Sequence, residues 1–247
     1  MKFILVFLFV CTVVLLSGCT TPPAKKWDND KRADLHVQLG LDYLRRNQLD
    51  TSQKELDTAL SIDPNHSEAN YIAGLLSVRL KKDDLAGKHF KRALQSDPAN
   101  HAARRDYGAY LCRQGRANEG VTQLETALAD QLNPRPDVAA MTAGVCLMDS
   151  DLDKAEEYFR QALRKNPGLP PALYNMAKMS YQREEYLSAR AFLERFFSVS
   201  PGTPGSLFYA VKVERQLGAH DVAQQYAKQL RENFPNAEQT RELFNLE

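Results

Sequence analysis

The chain has 247 residues, and its 32 Lys and Arg nearly balance its 31 Asp and Glu. Nucleic acid is bound largely by clustered basic residues that neutralise phosphates, whereas the short basic pairs of this chain stand near acidic residues that offset them. The composition therefore gives no sign of a nucleic-acid-binding protein.

A secretory signal peptide is predicted over residues 1–18. A positive charge at Lys2 precedes an unbroken apolar segment over residues 3–16, which is shorter than the roughly 20 residues that a transmembrane helix needs. Removal of residues 1–18 takes away Lys2 alone, which leaves 31 basic and 31 acidic residues. The mature chain is thus expected to be formally neutral.

The end of this signal, Leu16-Ser17-Gly18-Cys19, resembles the lipobox of bacterial lipoproteins, in which the cysteine is acylated and the chain is cut before it. The resemblance implies that Cys19 is the lipidated first residue of the mature chain. Thr20 stands where an aspartate would resemble the inner-membrane retention signal, so the expected location is the periplasmic face of the outer membrane. The alternative is an ordinary signal peptide with a chance cysteine.

Residues 19–32 are predicted to form a lipidated, flexible tether, because they are polar, contain prolines and show no apolar period. The tether holds Trp27, the single tryptophan of the chain. Its ring either rests on the first repeat or the lipid surface, or contacts a partner.

From residue 33 the sequence repeats with a period of 34 residues, which is marked by prolines at Pro64, Pro98, Pro134, Pro167, Pro201 and Pro235, with Pro134 shifted by two residues. Small and large residues recur at fixed offsets before each proline, as with Gly74, Ala86 and Phe90 in the second unit. This pattern is that of tetratricopeptide repeats. The fourth unit has one residue fewer, which we assign to its internal turn at residues 148–151.

The predicted fold is all-α, a right-handed superhelical solenoid of about six tetratricopeptide repeats. Each unit is a pair of helices that cannot bury its apolar stripe alone, so neighbouring units stack. The predicted repeats span residues 33–237, as 33–66, 67–100, 101–135, 136–169, 170–203 and 204–237. Residues 238–247 are expected to form a C-terminal cap, because a terminal repeat has no neighbour to cover its outer face.

No catalytic signature is found: the chain lacks a glycine-rich phosphate loop, a Gly-x-Ser-x-Gly elbow and a His-Glu-x-x-His pair. Histidines fall in different repeats without metal-ligand spacing, which favours structural or solvated roles for His36, His66, His89, His101 and His220. We therefore expect no enzyme activity, no metal, no cofactor and no small-molecule substrate.

Two cysteines remain in the repeats, Cys112 and Cys146, both in first helices and 34 residues apart. Equivalent positions on neighbouring helices usually exceed the Cα separation of about 7 Å that a disulfide allows, but the shorter fourth unit shifts the register. The pair either forms a disulfide in an oxidising compartment or remains two small buried hydrophobic residues.

The segments DYGAYLC at residues 106–112, GVC at 144–146 and LDKAEEYFRQALRKNP at 152–167 resemble the PilF/PilW family of type IV pilus biogenesis lipoproteins. Members often have Asn before the Tyr-Gly step, where this chain has Asp106. The resemblance implies a pilotin that helps the outer-membrane secretin reach the outer membrane and assemble its multimer, as a lipid-anchored binding protein.

In such a solenoid the first helices line a concave groove in which a partner segment binds. By helix position, the predicted groove residues are Val37, Leu41, Leu44, Tyr71, Leu75, Val78, Ala109 and Cys112, although an apolar helical stripe is also how a core residue looks. The alternative function is a general periplasmic adaptor that recruits cell-wall hydrolases or serves outer-membrane protein assembly.

Overall fold

The computed structural model describes the backbone of residues 24–244 and the side chains of residues 28–244, and this part of the chain is all-α. Its thirteen helices are α1 (Ala24–Arg45), α2 (Leu49–Ile62), α3 (Ser67–Arg79), α4 (Asp83–Ser96), α5 (His101–Arg113), α6 (Ala117–Ala129), α7 (Pro136–Leu147), α8 (Leu152–Lys165), α9 (Pro170–Gln182), α10 (Tyr186–Val199), α11 (Pro204–Gln216), α12 (His220–Asn233) and α13 (Glu238–Phe244). Helices α1 to α12 form six consecutive pairs, and α13 packs on the last of them. The predicted all-α repeat solenoid is confirmed.

The repeat prolines lie just beyond the second helices. Five of the six stand two residues after the last helical residue, as Pro64 does after Ile62. Proline lacks the N–H that continuing the helix would require, so each second helix ends there. Pro134 lies further on because the loop from α6 to α7, residues 130–135, has two residues more than the four-residue loops elsewhere between repeats.

Within a repeat, the two helices are joined by a three-residue turn whose middle residue has a positive φ, namely Asn47, Lys81, Gly115, Glu184 and Gly218. Repeat four departs from this rule. Its turn, residues 148–151, has four residues, and α7 ends three residues after Gly144, whereas α3 continues five residues beyond Gly74. The predicted shortening is therefore real in residue count, but it lies in the last turn of the first helix, while the connecting turn is one residue longer.

In repeats one to five a small residue of the first helix faces a large residue of the second. Repeat six has the reverse arrangement, with Val211 in its first helix and Ala227 in its second at the same positions. A Cβ built on Gly74 would lie 2.9 Å from the ring of Phe90, and one on Gly144 would lie 2.7 Å from the ring of Phe159. Both rings are fully buried. Burial of a phenylalanine stabilises a fold by roughly 1.5–3 kcal/mol, so each of these contacts is a sizeable part of the stability of its repeat.

The first helices lie on the inner side of the solenoid. First helices of neighbouring repeats pack on one another along the whole stack, from α1 on α3 to α9 on α11. Second helices of neighbouring repeats have no comparable contact within the described range. Elements that pack more closely from one repeat to the next form the inside of a curve, which makes the first helices the walls of a groove.

The tether prediction for residues 19–32 is wrong for residues 24–32, because α1 already begins at Ala24. Residues 24–32 contain neither proline nor glycine, and a helix that is nucleated elsewhere extends by one hydrogen bond for each residue added. The lack of an apolar period showed that this segment has no core to cover, which does not prevent it from being helical. The predicted signal peptide, Cys19 and residues 245–247 lie outside the described residues, as does the side chain of Trp27.

The cap predicted over residues 238–247 is represented by α13, whose Leu243 is fully buried in the cluster of the sixth repeat, beside Leu207, Val211 and Leu230. Among the helices of the described range, none combines the length and the apolar character needed to cross a bilayer.

The close approach in the second repeat gives a test of the packing. Gly74→Ala places a methyl group against the Phe90 ring and is expected to lower the free energy of unfolding by about 1–3 kcal/mol through overpacking. Gly87→Ala, inside α4, meets only ordinary contacts from 3.5 Å outward and is expected to stabilise by roughly 0.5–1 kcal/mol through helix propensity. Urea unfolding monitored by circular dichroism compares the two, and equal effects would contradict this packing.

Candidate partner-binding groove

One residue in each first helix faces the groove at the same position, directly after the residue that packs on the second helix, which is Gly or Ala in repeats one to five and Val211 in repeat six. A step of one residue rotates the side chain by about 100° around the helix, which turns it away from the second helix. These six residues, which we call the inner stripe, are Leu41, Leu75, Ala109, Val145, Lys178 and Lys212. None of them is buried, and Val145 is 48% exposed.

The chemistry of the inner stripe changes along the solenoid. It is apolar in repeats one to four, from Leu41 to Val145, and cationic in repeats five and six, at Lys178 and Lys212. The groove therefore offers an apolar surface at one end and a positively charged surface at the other. Sequence reasoning did not include Val145 or either lysine, although extending the 34-residue spacing from Leu41 and Leu75 would have found all three.

Two predicted groove residues are not available to a partner. Val37 and Leu44 are only 5% and 8% exposed, and both belong to the core cluster of the first two repeats with Leu56 and Ile72. Leu41 and Leu75 pack partly on the same cluster but keep some exposed surface. Among the other predicted residues, Tyr71, Val78, Ala109 and Cys112 are also half-buried.

Tyr71 is held in place by a polar network between repeats two and three. Its hydroxyl donates a hydrogen bond to Asp106 Oδ2 at 2.7 Å, and Arg105 Nε donates to Asp106 Oδ1 at 2.9 Å. Burial, followed by the charge of Asp106 and this hydrogen bond, raises the pKa of Tyr71, so the phenol remains a donor throughout the physiological range. Asp106 thus links two groove helices through its carboxylate.

A disulfide joins Cys112 of α5 to Cys146 of α7, with a Cα–Cα distance of 5.4 Å. The two cysteines do not occupy equivalent positions, because Cys112 follows Gly108 by four residues and Cys146 follows Gly144 by two. The bond ties the inner helices of repeats three and four together below the middle of the groove.

Gly120 of α6 makes room for this bond. A Cβ built there would lie 2.7 Å from the carbonyl oxygen of Gly108 and closer still to Cys112 Sγ. The corresponding position holds a serine or an alanine in the other repeats, at Ser52, Ala86, Ala155, Ala189 and Ala223.

The polar groups of the described region are internally satisfied. None of its fully buried side-chain nitrogen or oxygen atoms lacks a hydrogen-bond partner, and no group of three His, Cys, Asp or Glu residues in it is arranged to hold a metal ion. The histidines that contact other side chains link helices: His66 Nε2 lies 2.9 Å from Asp34 Oδ1, and His36 Nδ1 lies 2.7 Å from Glu55 Oε2. What the groove presents is therefore side-chain shape and charge.

A model of the tetratricopeptide repeat family matches residues 37–101 and 103–170. Over 239 residues the chain is 30% identical to the type IV pilus assembly protein PilF of Pseudomonas aeruginosa, and the alignment covers 94% of each protein. The chain belongs to the PilF/PilW family of tetratricopeptide-repeat proteins.

Solved structures of this family have the same fold. A Pseudomonas aeruginosa PilF structure superposes with a TM-score of 0.78 at 27% identity and covers 89% of this chain and 100% of the other. The crystal structure of PilW, described as a widely conserved type IV pilus biogenesis factor, also gives 0.78, at 26% identity over 86% of this chain and 98% of the other. The family assignment made from the sequence is confirmed, so this chain is a tetratricopeptide-repeat protein of a type IV pilus biogenesis family.

The disulfide is expected to stabilise repeats three and four. Replacing both Cys112 and Cys146 with Ser removes a cross-link between residues 34 apart and should lower the free energy of unfolding by roughly 2–4 kcal/mol. Urea unfolding of protein purified from an oxidising compartment measures the loss. Mass spectrometry of the unreduced wild-type digest should show the cross-linked peptide, and two free thiols would contradict the bond.

Proposed function

We propose that this chain is an outer-membrane lipoprotein that helps the type IV pilus secretin to localise and to assemble its multimer. It does so without catalysis, by binding a secretin segment in the groove of repeats one to four. The observation that carries the proposal is the apolar inner stripe from Leu41 to Val145, in a chain whose family serves type IV pilus biogenesis.

The groove of the first four repeats suits an apolar peptide segment. Its stripe residues lie one per repeat on first helices that pack side by side, so a segment that follows the groove meets each of them in turn. The disulfide between repeats three and four and the Tyr71–Asp106 hydrogen bond between repeats two and three hold these walls in a fixed relation. A wall that is already ordered costs less entropy when a partner binds.

The free energy of binding expected from the apolar inner stripe is small, which gives the membrane anchor a role. Covering one partly exposed Leu or Val contributes roughly 1 kcal/mol, so Leu41, Leu75 and Val145 together give about 3 kcal/mol, which corresponds to binding no tighter than millimolar by itself. Additional contacts at the rim of the groove and confinement to one surface are therefore needed. A lipid on Cys19 supplies this confinement, since it raises the effective concentration of scaffold and secretin at the same membrane.

The alternative is a general periplasmic adaptor that recruits cell-wall hydrolases or serves outer-membrane protein assembly. The same scaffold would suit either role. Deletion of the gene separates them, because loss of twitching motility with normal cell shape supports the pilus role, whereas altered cell shape with intact motility supports the adaptor.

The groove is tested by placing charge on the inner stripe. Leu75→Asp combined with Val145→Asp should reduce the detergent-resistant secretin multimers by at least about tenfold, because two carboxylates would be desolvated under the partner. Leu132→Asp with Leu187→Asp is the matched control, as these leucines are 83% and 69% exposed and lie outside the stripe.

Immunoblotting of secretin after mild detergent treatment gives the readout, and the helical circular-dichroism signal of each variant shows whether it is folded. Multimers that remain undiminished in a folded stripe variant would rule out this groove as the secretin site.

The anchor is tested separately with Cys19→Ser. This change removes the thiol that would be acylated, so the protein should no longer incorporate labelled palmitate and should leave the outer-membrane fraction. Membrane fractionation with immunoblotting measures the distribution. Retention of the Cys19→Ser protein in the outer membrane, together with label in it, would exclude this cysteine as the anchor.

A further inference from the structure

The cationic end of the groove is built differently from the apolar end. Lys178 of α9 and Lys212 of α11 are surrounded by aromatic rings from the same two helices, namely Tyr174, Tyr181, Phe208 and Tyr209. We call these six residues the lysine–aromatic cluster. It lies in repeats five and six, apart from the stripe assigned to the secretin segment.

The rings of the cluster fix the positions of both ammonium groups. Lys212 Nζ lies 4.6 Å from the ring centroid of Tyr181 and 5.2 Å from that of Tyr209, and Lys178 Nζ lies 6.0 Å from the Tyr209 centroid. Tyr209 is itself held by edge-to-face contacts with Tyr174 at 5.9 Å and Tyr181 at 5.7 Å. The two cations thus share one ring, and cation–π attraction orients both side chains before any partner arrives.

No carboxylate of the described residues lies within 4 Å of either ammonium group, unlike the many surface charges that are paired. Helix α9 carries no acidic residue, and the one acid of α11, Glu214, is buried against Arg190, whose Nε lies 2.8 Å from Glu214 Oε1. The remaining acid with an influence here is Glu242 of α13. Its charge, after burial and Tyr181, contributes to the raised pKa of Tyr209.

The tyrosines act as neutral aromatic surfaces. Burial and the neighbouring Tyr209 raise the pKa of Tyr174 to about 12, and burial raises the pKa of Tyr181 as well. At neutral pH the charge of the cluster is therefore that of its lysines. The rings are half-buried, apart from the buried Phe208, so their exposed faces can still accept an apolar side chain.

We propose that the lysine–aromatic cluster is a second binding surface, which takes an acidic protein segment with carboxylates against Lys178 and Lys212 and an apolar side chain against the tyrosine rings. Two acidic residues at positions i and i+2 of an extended segment point to the same side about 7 Å apart, so both carboxylates can face the same surface. A cation that is already oriented and has no carboxylate partner binds an anion with little loss of side-chain entropy. This surface does not depend on the apolar groove of repeats one to four.

The proposal is tested by selecting binding peptides from a displayed library of random dodecapeptides with the folded chain as bait. The selected peptides should be enriched in Asp and Glu next to aromatic or aliphatic residues. Fluorescence anisotropy then compares the wild type with Lys178→Glu combined with Lys212→Glu, for which binding should weaken by at least about tenfold.

Lys54→Glu with Lys88→Glu is the matched control. These lysines are likewise 34 residues apart, but they are exposed and lie on the second helices α2 and α4. Their replacement changes the net charge equally and should leave peptide binding within about twofold, since unpaired surface charges act mainly through weak, screened attraction. Peptides in which Lys replaces the acids should bind the Lys178→Glu, Lys212→Glu protein better than the wild type.

A selection that yields no binders, or binders without an excess of acidic residues, overturns the proposal. So does equal weakening by the two lysine pairs, which would indicate a general charge effect. Lysine-dependent binding of phosphatidylglycerol vesicles without any selected peptide would assign the surface to a membrane instead. Secretin multimers are measured independently, so a failure here is distinguishable from a failure of the groove proposal.

Discussion

The close contact between a small residue of the first helix and a large residue of the second, present in repeats one to five, is the constraint on which this molecule depends. Gly74 against Phe90 and Gly144 against Phe159 bring the two helices so near that even a methyl group is excluded. A pair joined in this way still exposes an apolar side, which the next pair must cover. Because first helices pack more closely from repeat to repeat than second helices do, the stack curves and a groove forms on its inner side.

Sequence periodicity predicted the helical pairs well, because proline, glycine and large residues act at positions that local backbone geometry fixes. It failed where no packing constraint operates. Residues 24–32 extend α1 through helix propagation alone, which leaves no apolar pattern to detect. In repeat four a residue is missing between Gly144 and α8, but whether a helix or a turn absorbs the loss depends on the backbone path. The answer, a shorter helix and a longer turn, emerges only in three dimensions.

For the groove residues, the repeat pattern predicted the helix position of each side chain but not whether that side chain is exposed. Val37 and Tyr71 occupy the same position in their helices, yet the short valine stays in the core, while the tyrosine extends to bond Asp106 in the next repeat. The position in the helix gives the direction of a side chain, and the length of the side chain decides whether it reaches the surface. The lysine–aromatic cluster was missed for a simpler reason, since the predicted list stopped at repeat three and followed apolar residues only.

The early start of α1 also sets a mechanical limit. If Cys19 is acylated, only residues 20–23 separate it from the first helical residue, Ala24. Five extended residue steps span at most roughly 18 Å. The link between the lipid and α1 is therefore shorter than α1 itself, which is about 33 Å long at 1.5 Å per residue. A protein with so short a link stays close to the bilayer surface. It would meet chiefly those polypeptides that come close to the leaflet, because the link adds at most about 18 Å to the reach of the solenoid itself.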